Sequence, residues 1–165
     1  MKQCHNGTEQ LIVIDSNPKQ NEYICKLIQR AGFPIKGLYS LKSARCFLAN
    51  GNYVIITNSH LSDGECVDLL EWIHSNGKTY PVIIVTNRPE VHTAVTVMKL
   101  GATDYIPIQL AEDKLPLLIQ DLQQEDKKRT LHSILQRTSE AFQKIHHRIR
   151  LVAPTELSVF ILGES

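Results

Sequence analysis

The 165-residue chain is 42% apolar and 21% charged, a globular balance, with length for one ordinary domain and a short remainder. Its 18 Lys and Arg against 17 Asp and Glu leave a net charge of +1, which excludes a strong global pull toward nucleic acid or a membrane surface. No apolar run approaches the about 18 residues that cross a bilayer, and the polar start MKQCHNGTEQ does not read as a signal peptide. Leu11-Ile12-Val13-Ile14 is a continuous apolar, β-branched run that ends in Asp15-Ser16-Asn17-Pro18. Such a run suits a strand buried on both faces, and the turn residues after it suit a helix start.

The next segment places Ile24, Leu27, Ile28 and Ala31 at i, i+3, i+4 and i+7 and stops at Gly32, which predicts a helix. Ile35 to Tyr39 is a weaker strand, and Ser40 caps a helix carrying Ala44, Phe47 and Leu48, closed by Asn50-Gly51. Tyr53 to Thr57 is a second strong strand. After the loop Asn58 to Gly64, Cys66, Leu69, Leu70 and Ile73 fall at helical spacing, and that helix ends at Asn76-Gly77. Pro81 to Thr86 is the third strong strand, and its helix carries Val91, Ala94, Val95 and Met98 on one stripe before Gly101. Tyr105 to Ile108 is a short last strand. A helix from about Glu112 follows, bearing Leu115, Leu118, Ile119 and Leu122, with Pro116 placed in its first turn.

Five strands alternating with five helices call for a five-stranded parallel, doubly wound α/β sheet, covered on both faces. In such sheets function collects at the carboxyl ends of the strands, here Asp15, Thr57-Asn58, Thr86 and Ile108. Cys4, Cys25, Cys46 and Cys66 include no C-x-x-C pair, and His146-His147 are adjacent and so leave different helix sides. No metal site and no disulfide framework are expected, and a cytoplasmic protein with reduced thiols is.

The charge is unevenly placed. Residues 1–124 carry a net −1, residues 125–150 a net +4 and residues 151–165 a net −2. The basic stretch begins where the apolar periodicity weakens and has no interleaved aromatics, so it reads as a solvated connector rather than a phosphate-binding patch.

The loop Asn58-Ser59-His60-Leu61-Ser62-Asp63-Gly64, the segment Glu90 to Val95, the run Met98 to Ala102 and Asp104-Tyr105-Ile106 form an ordered set. Together they resemble a response-regulator receiver domain of CheY-like, flavodoxin-like fold, over residues 10–124. The stretch TAVTVMKLGATDYI is similar to the receivers of sigma-54-dependent activators of the NtrC class. The resemblance implies an acidic pair holding Mg²⁺ after the first strand and a phosphoryl-accepting Asp after the third. It also implies a Thr or Ser after the fourth strand and a Lys after the fifth.

Carried over position by position, Asp15 matches the first acid and Thr86 the hydroxyl. Ser16 stands at the second acid, Asn58 at the acceptor and Ile108 at the Lys, with Gln109 where a proline follows in the family. An amide cannot form an acyl phosphate, and Ile108 cannot neutralise a phosphoryl oxygen. One Asp is a poor cage for Mg²⁺, which dehydrates reluctantly. A closed, metal-free pseudo-site follows, in which the Ser16 hydroxyl and the Asn58 amide both donate to Asp15. The blander readings are a helix-capping carboxylate for Asp15, a loop cap for Thr86 and an Asx-type turn residue for Asp63.

From Thr138 the chain resembles the opening of the AAA+ domain of sigma-54-dependent activators, running through a strand Leu157–Leu162 into Gly163-Glu164-Ser165. In that family Gly-Glu-Ser opens the phosphate loop. The expected organisation is a tail over 1–9, a receiver-like domain over 10–124, a helical linker over 125–137 and a truncated AAA+ start over 138–165. The fragment is then no enzyme and needs no cofactor, ATP and Mg²⁺ being expected only for a longer parent. Leu118, Leu122, Leu131, Ile134 and Leu135 suggest that the last helix extends into the connector.

The resemblance implies homodimerisation through the fourth helix, fifth strand and fifth helix, a face carrying Val91, Val95, Met98 and Tyr105, aided by the linker. Sigma-54 RNA polymerase and DNA would be met by domains beyond this sequence, and no membrane is a partner. Control would come from a protein partner, from expression level, or from a small ligand such as cyclic di-GMP acting on the AAA+ part. The competing readings are an authentic phosphoreceiver using another acceptor, and a flavodoxin-like ligand-binding domain. The latter needs a glycine-rich phosphate loop that Asp15-Ser16-Asn17-Pro18 does not supply.

Overall fold

The computed structural model describes residues 10–49 and 51–137. The expectations for residues 1–9 and 138–165, including Gly163, Glu164 and Ser165, lie outside the described residues. Strands β1 (Gln10–Ile14), β2 (Ile35–Leu38), β3 (Tyr53–Thr57), β4 (Val82–Thr86) and β5 (Asp104–Pro107) form one parallel sheet in the order β2-β1-β3-β4-β5. Helices α1 (Pro18–Arg30), α2 (Leu41–Phe47), α3 (Cys66–Ser75), α4 (Val91–Lys99) and α5 (Ala111–Arg137) alternate with them. The expected doubly wound α/β architecture is present.

Alternation along the strands divides the core in two, because successive side chains of a strand leave opposite faces. Ile12, Ile14, Ile55, Val82 and Ile84 pack with Leu41, Ala44, Leu48, Leu69, Leu70, Ile73 and Val97 from α2, α3 and α4 and the turn after α2. Leu11, Val13, Val54, Ile56, Ile83, Val85 and Ile106 pack with Ile24, Leu27, Ile28, Leu115 and Ile119 from α1 and α5. The three central strands are therefore apolar at every position but their last Thr or, in β1, its first Gln, as a two-sided sheet requires.

Three details depart from the sequence expectation. The loop after β3 folds into a small antiparallel hairpin, His60–Leu61 with Gly64–Glu65. Gly64 sits at φ +148, and a Cβ there would lie 2.6 Å from Leu41 Cδ1, so the hairpin presses on the start of α2. Ile108 is not the last strand residue but opens a one-turn 3₁₀ helix, Ile108–Leu110. Pro116 falls in the second turn of α5 rather than its first, because the helix begins at Ala111. The apolar stripe of α4, which the resemblance assigns to a dimer face, is turned outward: among the described residues this helix buries only Val97.

Residues 125–137 continue the backbone of α5, while the packed unit ends at Gln123. The sheet's carboxyl end is tied at β1 and β2 by Asn21 of α1, which is buried. Its Nδ2 donates to Leu38 O at 2.7 Å and to Asp15 O at 3.2 Å. Asn21→Ala leaves both carbonyls short of a buried donor and is expected to lower unfolding free energy by about 1–3 kcal/mol. Urea unfolding checks this as a lower midpoint with an unchanged slope.

Candidate functional site

The tips of β1, β3 and β4 bring Asp15, Asn58 and Thr86 together. Register sets this: Ile14 pairs with Thr57, which puts Asp15 beside Asn58, and Thr57 pairs with Ile84, two residues before Thr86 at the end of β4. Asp15 is 3% exposed. Its Oδ1 accepts the Asn17 N–H at 2.8 Å and its Oδ2 accepts the Asn58 amide at 3.2 Å. The helix cap is Asn17, whose side chain accepts from Lys19 N–H, so Asp15 does not cap α1.

Ser16 does not donate to Asp15, contrary to expectation. Its hydroxyl accepts from Ser62 N–H at 2.8 Å and lies 3.0 Å from both Tyr39 O and Ser62 Oγ. It therefore joins three loops instead of filling the place of a second acid. Sequence offered no signal for this, since Ser62 and Tyr39 are 46 and 23 residues away.

Two further residues complete the cluster. Ser59, buried, places Oγ 2.8 Å from Thr86 Oγ1, 3.4 Å from Asn58 Oδ1 and 3.0 Å from His60 Nδ1. Thr86 Oγ1 also accepts from Arg88 N–H at 3.1 Å, the loop cap anticipated for it. A serine after a strand tip reads as an ordinary loop residue, which is why Ser59 escaped notice. A continuous hydrogen-bonded path thus runs from Asp15 through Asn58, Ser59 and Thr86 to Arg88.

Ile108 does not join this cluster; half-buried, it packs on the core formed with α1 and α5. Tyr105 is also half-buried, and its hydroxyl accepts from Glu90 N–H at 3.1 Å. Val91, Val95 and Met98 are exposed by 82%, 49% and 46%, and a shallow apolar groove lies along Ala94, Val95, Met98 and the Lys99 stem. Asp63 is not confined to a local turn. Its carboxylate accepts from Leu41 N–H and Lys42 N–H, both at 2.9 Å, at the start of α2. The Lys42 amide foremost, with that of Leu41 and the nearby Arg45, holds its carboxyl below the usual range.

Mg²⁺, which the resemblance implies, asks for carboxylate and carbonyl oxygens in near-octahedral array. These residues do not fit it. Asp15 is the one carboxylate at the tips, each of its oxygens already accepts an N–H, and Ser16 is committed elsewhere. Among the described residues no three His, Cys, Asp or Glu side chains converge as a cation cage.

Burial pushes the Asp15 carboxyl above its ordinary range, against the pull of the Asn17 and Asn58 donors. The folded chain then holds that proton more tightly than the unfolded chain, so stability falls as pH rises from the ordinary carboxylate range through the raised value. Asp15→Asn is expected to remove this cost. It should unfold at a higher temperature than the parent at neutral pH, with the difference vanishing in acid, as read by circular dichroism across a pH series.

The profile of the response regulator receiver domain matches residues 11–120. The phosphoglycerate transport system transcriptional regulatory protein PgtA of Salmonella typhimurium is 21% identical over 164 residues, covering 93% of this chain and 40% of that protein. The DNA-binding transcriptional regulator NtrC of Proteus hauseri is 26% identical over 152 residues, covering 86% of this chain and 30% of that protein. The chain spans less than half the length of these relatives. Among solved structures, the beryllofluoride-activated NtrC4 receiver domain dimer superposes with a TM-score of 0.64 at 21% identity, covering 70% of this chain and 97% of that one.

Proposed function

The chain belongs to the response regulator receiver domain family, and from that premise we propose that it is a pseudo-receiver, a regulatory module that works by protein contact and not by phosphorylation at the usual site. One observation carries the reading: the side chain at the acceptor position is the Asn58 amide, and it donates to Asp15 at 3.2 Å. Phosphoryl transfer to a receiver needs a carboxylate oxygen to attack phosphorus and cations to take up the charge that builds on the transferred oxygens. Asn58 has no such oxygen, Ile108 has no charge, and Asp15 adds a negative one.

The parent is then a sigma-54-dependent transcriptional activator of the cytoplasm, and this module governs its AAA+ ATPase. The similarity to PgtA and NtrC, over less than half of each, supports that placement, as does the family likeness of residues 138–165. ATP with Mg²⁺, sigma-54 RNA polymerase and DNA would be handled by parts of the parent beyond this sequence. The module itself pairs with a second copy through α4, β5 and α5. An exposed apolar stripe of Val91, Val95 and Met98 beside Tyr105 suits that contact, and the fold is shared with the NtrC4 receiver dimer.

Incubation of the chain with acetyl phosphate and Mg²⁺, followed by intact mass, tests the reading. No phosphoryl adduct is expected, with or without the metal. An adduct that requires Mg²⁺ and maps to residues 58–63 would overturn it.

A further inference from the structure

Helix α4 is weakly anchored at its start. Val97 is its buried contact, toward the C-terminal half, whereas Val91 in the first turn is open to solvent. The N-cap residue Glu90 makes no side-chain cap bond to the backbone, and the first turn carries no acidic residue. Apolar burial thus fixes one half of the helix, and polar bonds in the preceding loop must place the other. Two such bonds come from the sheet. Arg88 N–H donates to Thr86 Oγ1, and Glu90 N–H donates to Tyr105 Oη, each at 3.1 Å.

Thr86 is held in its turn by Ser59, 2.8 Å away between two buried side chains. A hydroxyl has one proton and two lone pairs, so the Ser59 contact and the Arg88 amide leave Thr86 little capacity for another ligand. We propose that the Ser59–Thr86 hydroxyl pair is a built-in latch that positions the apolar face of α4 without any phosphoryl group. Ser59 fixes Thr86, Thr86 fixes the Arg88 amide, and the loop through Arg88 sets where α4 begins and how Val91, Val95 and Met98 are presented. Ser59 and Thr86 are positioning residues, since neither lies on the presented face. The latch deepens the pseudo-receiver reading, in which that face meets a second copy, and its test separates the two claims.

The test is a double-mutant cycle on the 165-residue chain with Ser59→Ala, Thr86→Val and both together, plus Thr86→Ser, which keeps the hydroxyl. Amide exchange at Arg88 and Glu90 is read beside self-association by sedimentation equilibrium. Ser59→Ala is expected to speed Arg88 exchange about fivefold and to weaken association by a similar factor, as loss of one buried hydrogen bond implies, and Thr86→Val, which also removes the Arg88 acceptor, to do so by more. The double variant should go no further than Thr86→Val alone, and Thr86→Ser should match the parent. Strictly additive effects, or unchanged Arg88 exchange in folded Ser59→Ala, would overturn the latch. If Ser59→Ala does not fold, Ser59→Gly takes its place, and parent-like Arg88 exchange in it overturns the latch. If the parent does not self-associate while the exchange pattern holds, the latch stands and the pairing reading fails.

Discussion

A single carboxylate buried at the carboxyl edge of a parallel sheet, with no Lys or Arg paired to it among the described residues, is the constraint around which this site is arranged. A charge removed from water needs compensation, and where no opposite charge is at hand the compensation must come from oriented N–H groups. Asp15 has two, the Asn17 backbone and the Asn58 amide, one for each oxygen. They offset burial only in part, for the carboxyl still holds its proton more tightly than an exposed one. Asn58, whose amide cannot itself carry an acyl phosphate, is also the group that makes Asp15 tolerable.

The same economy extends across the neighbouring loops. Ser16 binds the hairpin at Ser62 and the backbone at Tyr39, Ser59 binds Thr86, and Asp63 caps α2 from the hairpin. These loops are joined by hydroxyls, backbone amides and the Asp63 carboxylate. Such a network has few open valences for a ligand, and the proposed function accordingly rests on the surface it supports. Helix α4, with little buried and an apolar stripe turned outward, is the part of that surface best suited to meet another protein.

Most of the architecture was legible in the amino-acid order. The runs Leu11–Ile14, Tyr53–Thr57 and Pro81–Thr86 suited two-sided strands, and the stripes of α1 and α3 are buried where periodicity put them, save Ala31 just past the end of α1. Periodicity defines a face, however, and not what covers it, so the outward turn of the α4 stripe was expected from the family resemblance and not from its spacing. The convergence of Asp15, Asn58 and Thr86 followed from their places at strand ends. The direction of the Ser16 hydroxyl did not, because its partners come from loops distant in sequence. Ser59 was hidden for the opposite reason: it is adjacent to Asn58, and nothing in its own neighbourhood announces a bond across to β4.

The most direct measurement of the central claim is the carboxyl ¹³C shift of Asp15, followed by NMR through a pH titration with and without Mg²⁺. The account expects a midpoint above that of an ordinary aspartate and a curve that Mg²⁺ leaves in place. A midpoint below the ordinary range, or one displaced downward by millimolar Mg²⁺, would mean that the carboxylate is free to bind a cation, and would contradict it.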